Sequence, residues 1–168
     1  METLEELESK NARRAGFIFK ALTQSSDPAC DFVAHKVVEP ILDELEKEKL
    51  FTRKKALIEI LVLIIQGSNI LYTTRQPLSV SSKLIATKKE ELLSPLFNQK
   101  DRLFECFISA IHSSNEYSLL RVAAVRGLEQ LCMSSDLLSE IEVSSILFFL
   151  VEFFIVRIRF RFRFLKAS

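Results

Sequence analysis

The residues of this chain best suited to chemistry are its three cysteines and two histidines, and their spacing matches no known type of site. Four residues separate Cys30 from His35, and five separate Cys106 from His112. A zinc site needs three or four converging ligands, and neither Cys-x-x-Cys nor His-Glu-x-x-His occurs. We therefore predict no metal site. The three thiols, Cys132 included, are expected to be buried core groups, and the histidines are expected on exposed turns.

The sequence also lacks the motifs of other catalytic sites. It contains no glycine-rich phosphate loop and no Gly-x-Ser-x-Gly. Its acidic residues lie in mixed runs with lysine, as is typical of a solvated helix face. Examples are Glu44, Glu46, Glu48, Glu90 and Glu91. We predict that the protein is not an enzyme, and we assign no catalytic, cofactor-binding or metal-binding residue and no cofactor.

Composition points to a helical protein of a reducing compartment. The 168 residues include only three glycines and four prolines, which suits helices. Net charge is +1, but the stretch from Val151 onward holds five basic residues and one acid, so the first 150 residues carry −3. That body gives no electrostatic footprint for nucleic acid, and we predict no direct contact with it. An odd number of scattered cysteines, without a signal peptide, favours the cytoplasm and nucleus.

A repeated pattern gives the strongest indication of fold. Residues 52–61 and 120–129 each combine an early arginine, small residues on the next turn and then Leu or Ile at helical spacing. A weaker copy occupies residues 11–18, and Arg13 precedes Arg53 by 40 residues. Helix-pair repeats of about 40–47 residues are typical of HEAT and armadillo solenoids. The predicted fold is therefore all-α, a HEAT/ARM-type α-solenoid fragment of antiparallel helix pairs over residues 1–145.

The apolar stripes place individual helices along this repeat. Asp27 is predicted to cap the second helix with Pro28 at its first position, and Pro40 is expected to bend that helix. Gly67 is predicted to end the third helix and to open an inserted loop at about 67–94, with a short helix at 83–93. Ser94 is predicted to start the next helix. The expected helices span about 3–22, 28–47, 51–66, 97–112 and 116–133, with another from about 138.

Two arginines of the repeat, Arg53 and Arg121, have two possible roles. They could contact a partner or a phosphate. Alternatively, they could cap or bridge neighbouring repeats through carboxylates, which we favour because both occupy the arginine position of the repeat. The inserted loop at 67–94 is the segment most suited to function, since insertions in repeat proteins cluster on one face. The protein-binding residues themselves stay unknown.

The C-terminal residues 146–168 break the helical pattern. They hold an apolar run that includes Glu152 and is shorter than the roughly 20 residues that span a bilayer. An alternation of Arg and Phe follows, with the period of a strand. We interpret 146–168 as an aberrant tail, translated from noncoding or frame-shifted sequence. A membrane anchor is the alternative, and we predict no membrane association. Incomplete terminal repeats expose apolar stripes, so self-association is expected.

Several segments of the chain, in their order and spacing, resemble the middle-to-late HEAT repeats of one family, the MMS-nineteen nucleotide excision repair homologues. The resemblance covers about 11–143 and rests on the segments Ala29–Val33, Glu39–Leu45, Arg53–Leu61, Lys100–Phe104, Leu119–Arg121 and Gly127–Ser139. It implies a non-catalytic scaffold, the targeting subunit of cytosolic iron–sulfur assembly. Implied partners are a WD-repeat propeller, a small acidic assembly factor and apo iron–sulfur enzymes of DNA repair and transcription. An importin-like transport receptor is the alternative.

Overall fold

The part of the chain that the structure describes is all-α. The computed structural model describes residues 4–73, 94–112 and 118–134, together with 143, 144 and 148, and side chains from Lys10 onward. The chain divides into two compact units, Met1–Leu137 and Leu138–Ser168, and every helix described below belongs to the first. The predicted inserted helix at 83–93, the helix start near 138 and the predicted limit of the tail at 145–146 lie outside the described residues.

Helix α1 spans Leu4–Ser25, and a helical rod with three parts follows it. This rod consists of α2 (Asp27–Val33), a π-helical segment (Ala34–Val38) and α3 (Glu39–Lys47). Asp27 was the predicted cap of α2, and that prediction was wrong: the cap is Ser26, whose Oγ accepts a hydrogen bond from the Ala29 N–H at 3.4 Å. Since Ser26 has extended backbone geometry while Asp27 is already helical, only Ser26 can cap from outside the helix.

Pro40 was predicted to bend this helix, and a π-helical segment ends two residues before it. Proline has no N–H for the carbonyl of Lys36 four residues before it, and its ring crowds that carbonyl. A wider turn just upstream of a proline accommodates both effects within a continuous helix. Buried Leu42 and Leu45 of α3 and buried Val33 of α2 keep the two parts on one core.

Helix α4 spans Phe51–Thr73 and forms the centre of the core. The prediction that it ends at Gly67 was wrong, because it continues through that glycine for two more turns. It alone among the described helices has the length and apolarity of a membrane span. Its apolarity has a structural reason here: α1 and α6 pack on it, and its side chains Ile58, Leu61 and Ile64 are almost completely buried.

A helix starts at Ser94, as predicted, and with it begins the second half of the first unit. The Ser94 Oγ accepts a hydrogen bond from the Leu96 N–H at 3.2 Å and so caps a 3-10 helix, Pro95–Gln99. Helix α5 (Lys100–His112) continues directly from it, and α6 spans Ser118–Cys132. The predicted turn at 113–115 lies outside the described residues. The largest fully buried side chains of this half are Leu96, Leu103, Phe107, Leu120, Leu128 and Leu131.

Three helices pack side by side in chain order: α1 against α4, and α4 against α6. We call them the inner row. Gly16 of α1 lies against Ile60 and Leu63 of α4, and further along, Thr23 of α1 lies against Gly67. Residue numbers rise together on both helices, so α1 and α4 run parallel. Helices α3 and α5 also contact each other and form the outer row.

Buried hydroxyl groups connect the helices within the core. Ser68 Oγ of α4 lies 2.8 Å from Ser94 Oγ and accepts a hydrogen bond from Cys30 Sγ at 3.9 Å. All three side chains are buried. Near the end of α4, Asn69 Nδ2 donates to the Gln130 carbonyl of α6 at 2.9 Å. These bonds satisfy polar groups whose burial would otherwise be costly, and they fix α4 to α2, to Ser94 and to α6.

Candidate protein-binding cleft

The cysteines and histidines singled out in the sequence do not form a site. Cys30 is buried as predicted, whereas Cys106 and Cys132 are half-buried. Both histidines are exposed; His35 lies inside the π-helical segment instead of on a turn, and His112 ends α5. His35 Nδ1 lies 3.0 Å from the Asp31 carbonyl. Across the described ranges, no three His, Cys, Asp or Glu side chains cluster so as to hold a metal ion.

Arg53 contacts a carboxylate close to it in the chain, that of Glu48. Its Nη1 lies 3.8 Å from Glu48 Oε2, in the connection that precedes α4. Glu48 Oε1 accepts hydrogen bonds from the backbone N–H groups of Leu50 and Lys49, each at 2.8 Å. These bonds, with the nearby Arg53, hold the pKa of the Glu48 carboxyl below its ordinary value. Glu48 thus stabilises the start of α4. Arg121 is half-buried on α6, and its predicted role stays a prediction.

A cleft of about 380 Å³ lies where α3, the first half of α4 and α5 meet. Four of its lining residues are apolar and nearly inaccessible to solvent: Leu42, Leu45, Ile58 and Ala110. They form the floor of the cleft. The volume is in the range of pockets that take a side chain or a small ligand. The other lining residues are Glu46, Lys54, Arg102, Glu105, Cys106 and Ser109.

An ion-pair cluster closes one edge of this cleft. Arg102 Nη2 of α5 lies 2.8 Å from Asp43 Oδ1 and 2.9 Å from Glu46 Oε1, both on α3. These two carboxylates raise the pKa of Arg102 above its ordinary value. One turn earlier, Gln99 Nε2 donates to Glu39 Oε1 at 2.7 Å. Polar contacts therefore join α3 to α5 and to the 3-10 helix that precedes α5, and those of Arg102 are exposed.

The wall of the cleft carries a thiol that is poorly suited to nucleophilic chemistry. Burial raises the pKa of Cys106 from 9.0 to about 11, although the nearby cations Lys54 and Arg102 lower it. At neutral pH Cys106 is therefore a protonated thiol, which behaves as a small, polarizable apolar group. With this thiol, the apolar floor and the half-buried Lys54, the cleft suits noncovalent binding of an apolar group.

Local sequence patterns could not reveal this cleft. Its lining comes from three helices, and the floor residues look like ordinary core positions in each apolar stripe. The one available indication was the mixed charge of α3, which is typical of a solvated helix face. Of the inserted loop predicted at 67–94, residues 67–73 belong to α4, and residues 74–93 lie outside the described part of the chain.

Comparison with protein-family models, with curated proteins and with solved structures finds no match to this chain.

Proposed function

We propose that this chain is a non-catalytic scaffold of the HEAT type that binds other proteins. The observation that supports the proposal is the chain-ordered packing of α1, α4 and α6, with α1 and α4 parallel. In a helix-pair solenoid, the equivalent helix of each pair packs on its counterpart in the next pair. The contacts of α1 with α4, of α4 with α6 and of α3 with α5 support such an arrangement.

The connections between helices agree with antiparallel pairs. Only residues 48–50 separate α3 from α4, a length typical of helix hairpins. Leu45 and Lys54 line the same cleft from the two sides of this connection, and Leu42 and Ile58 do so further from it. The order of these pairs is that of two helices running in opposite directions. Helix α5 likewise packs on α6 after a short connection.

Within that scaffold, the cleft is the proposed binding point for a partner side chain. Its floor is apolar, its edge is polar, and its thiol is protonated at neutral pH. Buried apolar anchors surrounded by a polar rim are the usual source of affinity in protein interfaces. The resemblance described above supplies the class of partner: apo iron–sulfur enzymes of DNA repair and transcription, with cluster-assembly factors, in the cytoplasm and nucleus.

The test is affinity capture with the full chain, followed by quantitative mass spectrometry. The proposal expects iron–sulfur enzymes and a WD-repeat assembly factor to be enriched over a tag-only control. Lys54→Glu and Ser109→Arg, which change the wall of the cleft, are expected to lower that enrichment. Lys47→Glu, an equal charge change on an exposed position of α3, is the matched control.

Two outcomes would count against the proposal. Enrichment of transport cargo or a small GTPase, without iron–sulfur enzymes, would favour the importin-like receptor. Equal enrichment by parent, Lys54→Glu and Ser109→Arg would remove the cleft as a binding point while leaving a scaffold role in place. Circular dichroism of each variant ensures that lost capture reflects the surface and not unfolding.

A further inference from the structure

Helix α1 exposes a regular apolar stripe on the side away from α4. Ile18 is 61% exposed, Phe17 is 50% exposed and Leu22 is 41% exposed. Gly16, Lys20 and Thr23, which face α4, lie on the opposite side of the helix. The exposed side chains fall into two adjacent rows at four-residue spacing, which are neighbours on a helix surface. The rows are Arg13, Phe17, Ala21 and Arg14, Ile18, Leu22, and we call them the α1 stripe.

Both rows of the α1 stripe begin with an arginine. The Arg13 guanidinium lies 5.9 Å from the centroid of the Phe17 ring, so it is held at the edge of the apolar surface. Arg13 and Arg14 are both exposed, and within the described residues no carboxylate lies at ion-pair distance from either. Two positive charges therefore stand at the N-terminal end of the stripe, and apolar side chains occupy the following two turns.

We propose that the α1 stripe docks an amphipathic helix of a partner protein that carries carboxylates in its first turn and an apolar stripe after them. Carboxylates are favoured at a helix N-terminus because of the helix dipole. A partner helix running parallel to α1 would bring them to Arg13 and Arg14, and its apolar side chains to Phe17, Ile18 and Leu22. Helix α4 lies parallel on the opposite side of α1, which shows that a helix can pack on α1 in this direction.

A second copy of this chain fits the stripe less well. If two α1 helices pair antiparallel about Ile18, Arg14 of each lies opposite Leu22 of the other. That arrangement places two charges on apolar side chains and provides no carboxylate for either arginine. Burying an unpaired charge costs several kcal/mol, which opposes this pairing.

An anionic membrane also fits less well than an acidic helix. Interfacial helices have cations along the whole polar face. Here the two arginines stand at one end of the α1 stripe, and apolar side chains occupy its next two turns. That the occupant is a protein rests on the proposed scaffold function. The exposure and the charge pattern of the α1 stripe do not depend on that function.

The probe is a pair of fluorescent helical peptides with the same leucine and isoleucine stripe. One has three glutamates in its first turn, and the other has three lysines there. Fluorescence anisotropy with the full chain is expected to give about tenfold tighter binding of the glutamate peptide, since two ion pairs of moderate strength distinguish them. Arg13→Glu with Arg14→Glu is expected to reverse this preference. Ile18→Asp is expected to abolish binding of both peptides.

The controls separate the alternative occupants. Lys47→Glu with Lys49→Glu, on exposed positions away from α1, should leave the preference unchanged. Equal binding of both peptides, or no binding, overturns the inference. Self-association that Ile18→Asp removes, or binding to vesicles of phosphatidylserine in place of the glutamate peptide, assigns the stripe to those occupants and also overturns it. Glutamate-peptide binding without capture of iron–sulfur enzymes would reject the proposed clients and leave this docking surface intact.

Discussion

Gly67 of α4 lies directly against Thr23 of α1, and the two helices meet there without an intervening side chain. A Cβ built on Gly67 would lie 2.5 Å from the Lys20 carbonyl oxygen and 3.1 Å from the Lys20 Cα. Thr23 Oγ1 fills the remaining space and donates to carbonyls of its own helix, at 2.9 Å from Lys20 and 3.0 Å from Phe19. The crossing of α1 and α4 thus depends on the missing side chain at position 67.

Gly67→Ala is therefore expected to destabilise the protein by about 2 kcal/mol, because two of the three nearest atoms belong to the Lys20 backbone and cannot rotate away. The gain of about 1 kcal/mol in helix propensity is too small to offset the clash. Denaturant unfolding followed by circular dichroism measures the loss.

Gly16→Ala is the matched control on the same interface. Its Cβ would meet Leu63 Cδ1 at 2.6 Å, the end of a flexible side chain, and the nearest backbone atom lies at 3.5 Å. Stability within about 0.5 kcal/mol of the parent is expected, since a small rotation of Leu63 and the better helix propensity nearly cancel. Equal losses for Gly16→Ala and Gly67→Ala would contradict this account of the α1–α4 crossing.

Gly127→Ala tests the contact between α5 and α6. A Cβ on Gly127 would lie 2.6 Å from two ring carbons of Phe107, whose side chain is fully buried. Because the ring has no room to move, a loss of about 1–3 kcal/mol is expected. Combining Gly127→Ala with Phe107→Leu should cost at least about 1 kcal/mol less than the two single losses added together. Additive losses in a double-mutant cycle would show that the ring is not what opposes the new methyl group.

High pH is expected to weaken the fold through Cys106. Its pKa rises from 9.0 to about 11 on folding because of burial, so the unfolded chain loses this proton first. The stability that the fold gains by burying Cys106 as a protonated thiol is fully present below pH 9, and it is lost as the pH rises through about 11. Burial also raises the pKa values of Cys30 and Cys132, which act in the same direction.

Comparison of the parent with Cys106→Ala isolates this contribution. The difference in unfolding free energy between them is expected to shrink by on the order of 1 kcal/mol between pH 9 and pH 11. A difference that stays constant over that interval would mean that the thiol titrates alike in the folded and unfolded chain.

Removing Arg102 should have a small effect that depends on salt. Arg102 and its partners Asp43 and Glu46 are all substantially exposed, so solvent screens their attraction. Arg102→Ala is expected to lose about 0.5 kcal/mol at low ionic strength and almost nothing in about 1 M salt. Thermal or denaturant unfolding at two salt concentrations measures both values. A loss above about 2 kcal/mol that salt does not alter would point to packing of the arginine stem instead.

Apolar periodicity predicted the described helices well, but it could not distinguish a helix stop from a packing contact. The residues read as a stop, Gly67, Ser68 and Asn69, each make a contact between elements. Gly67 lies against Thr23, Ser68 bonds to Ser94, and Asn69 bonds to Gln130. Small and polar residues occur at helix ends and at close helix crossings alike, and only the position of the neighbouring helix separates the two uses.

The cap of α2 shows a similar limit of local patterns. Ser26 and Asp27 are both favourable caps, and the choice between them depends on where the extended backbone ends. The cleft could not be predicted at all, because residues from α3, α4 and α5 approach one another only through tertiary packing. The apolar positions of each helix are visible in the sequence, but which of them border a space is not.

The bond between Ser68 and Ser94 joins two parts of the chain that lie 26 positions apart in sequence. Ser68 belongs to α4, and Ser94 caps the 3-10 helix that leads into α5. The Ser94 hydroxyl therefore has two tasks, because it also accepts the hydrogen bond from the Leu96 N–H. A single substitution at position 94 would uncouple the two halves of this unit at that point and would leave the 3-10 helix without its cap.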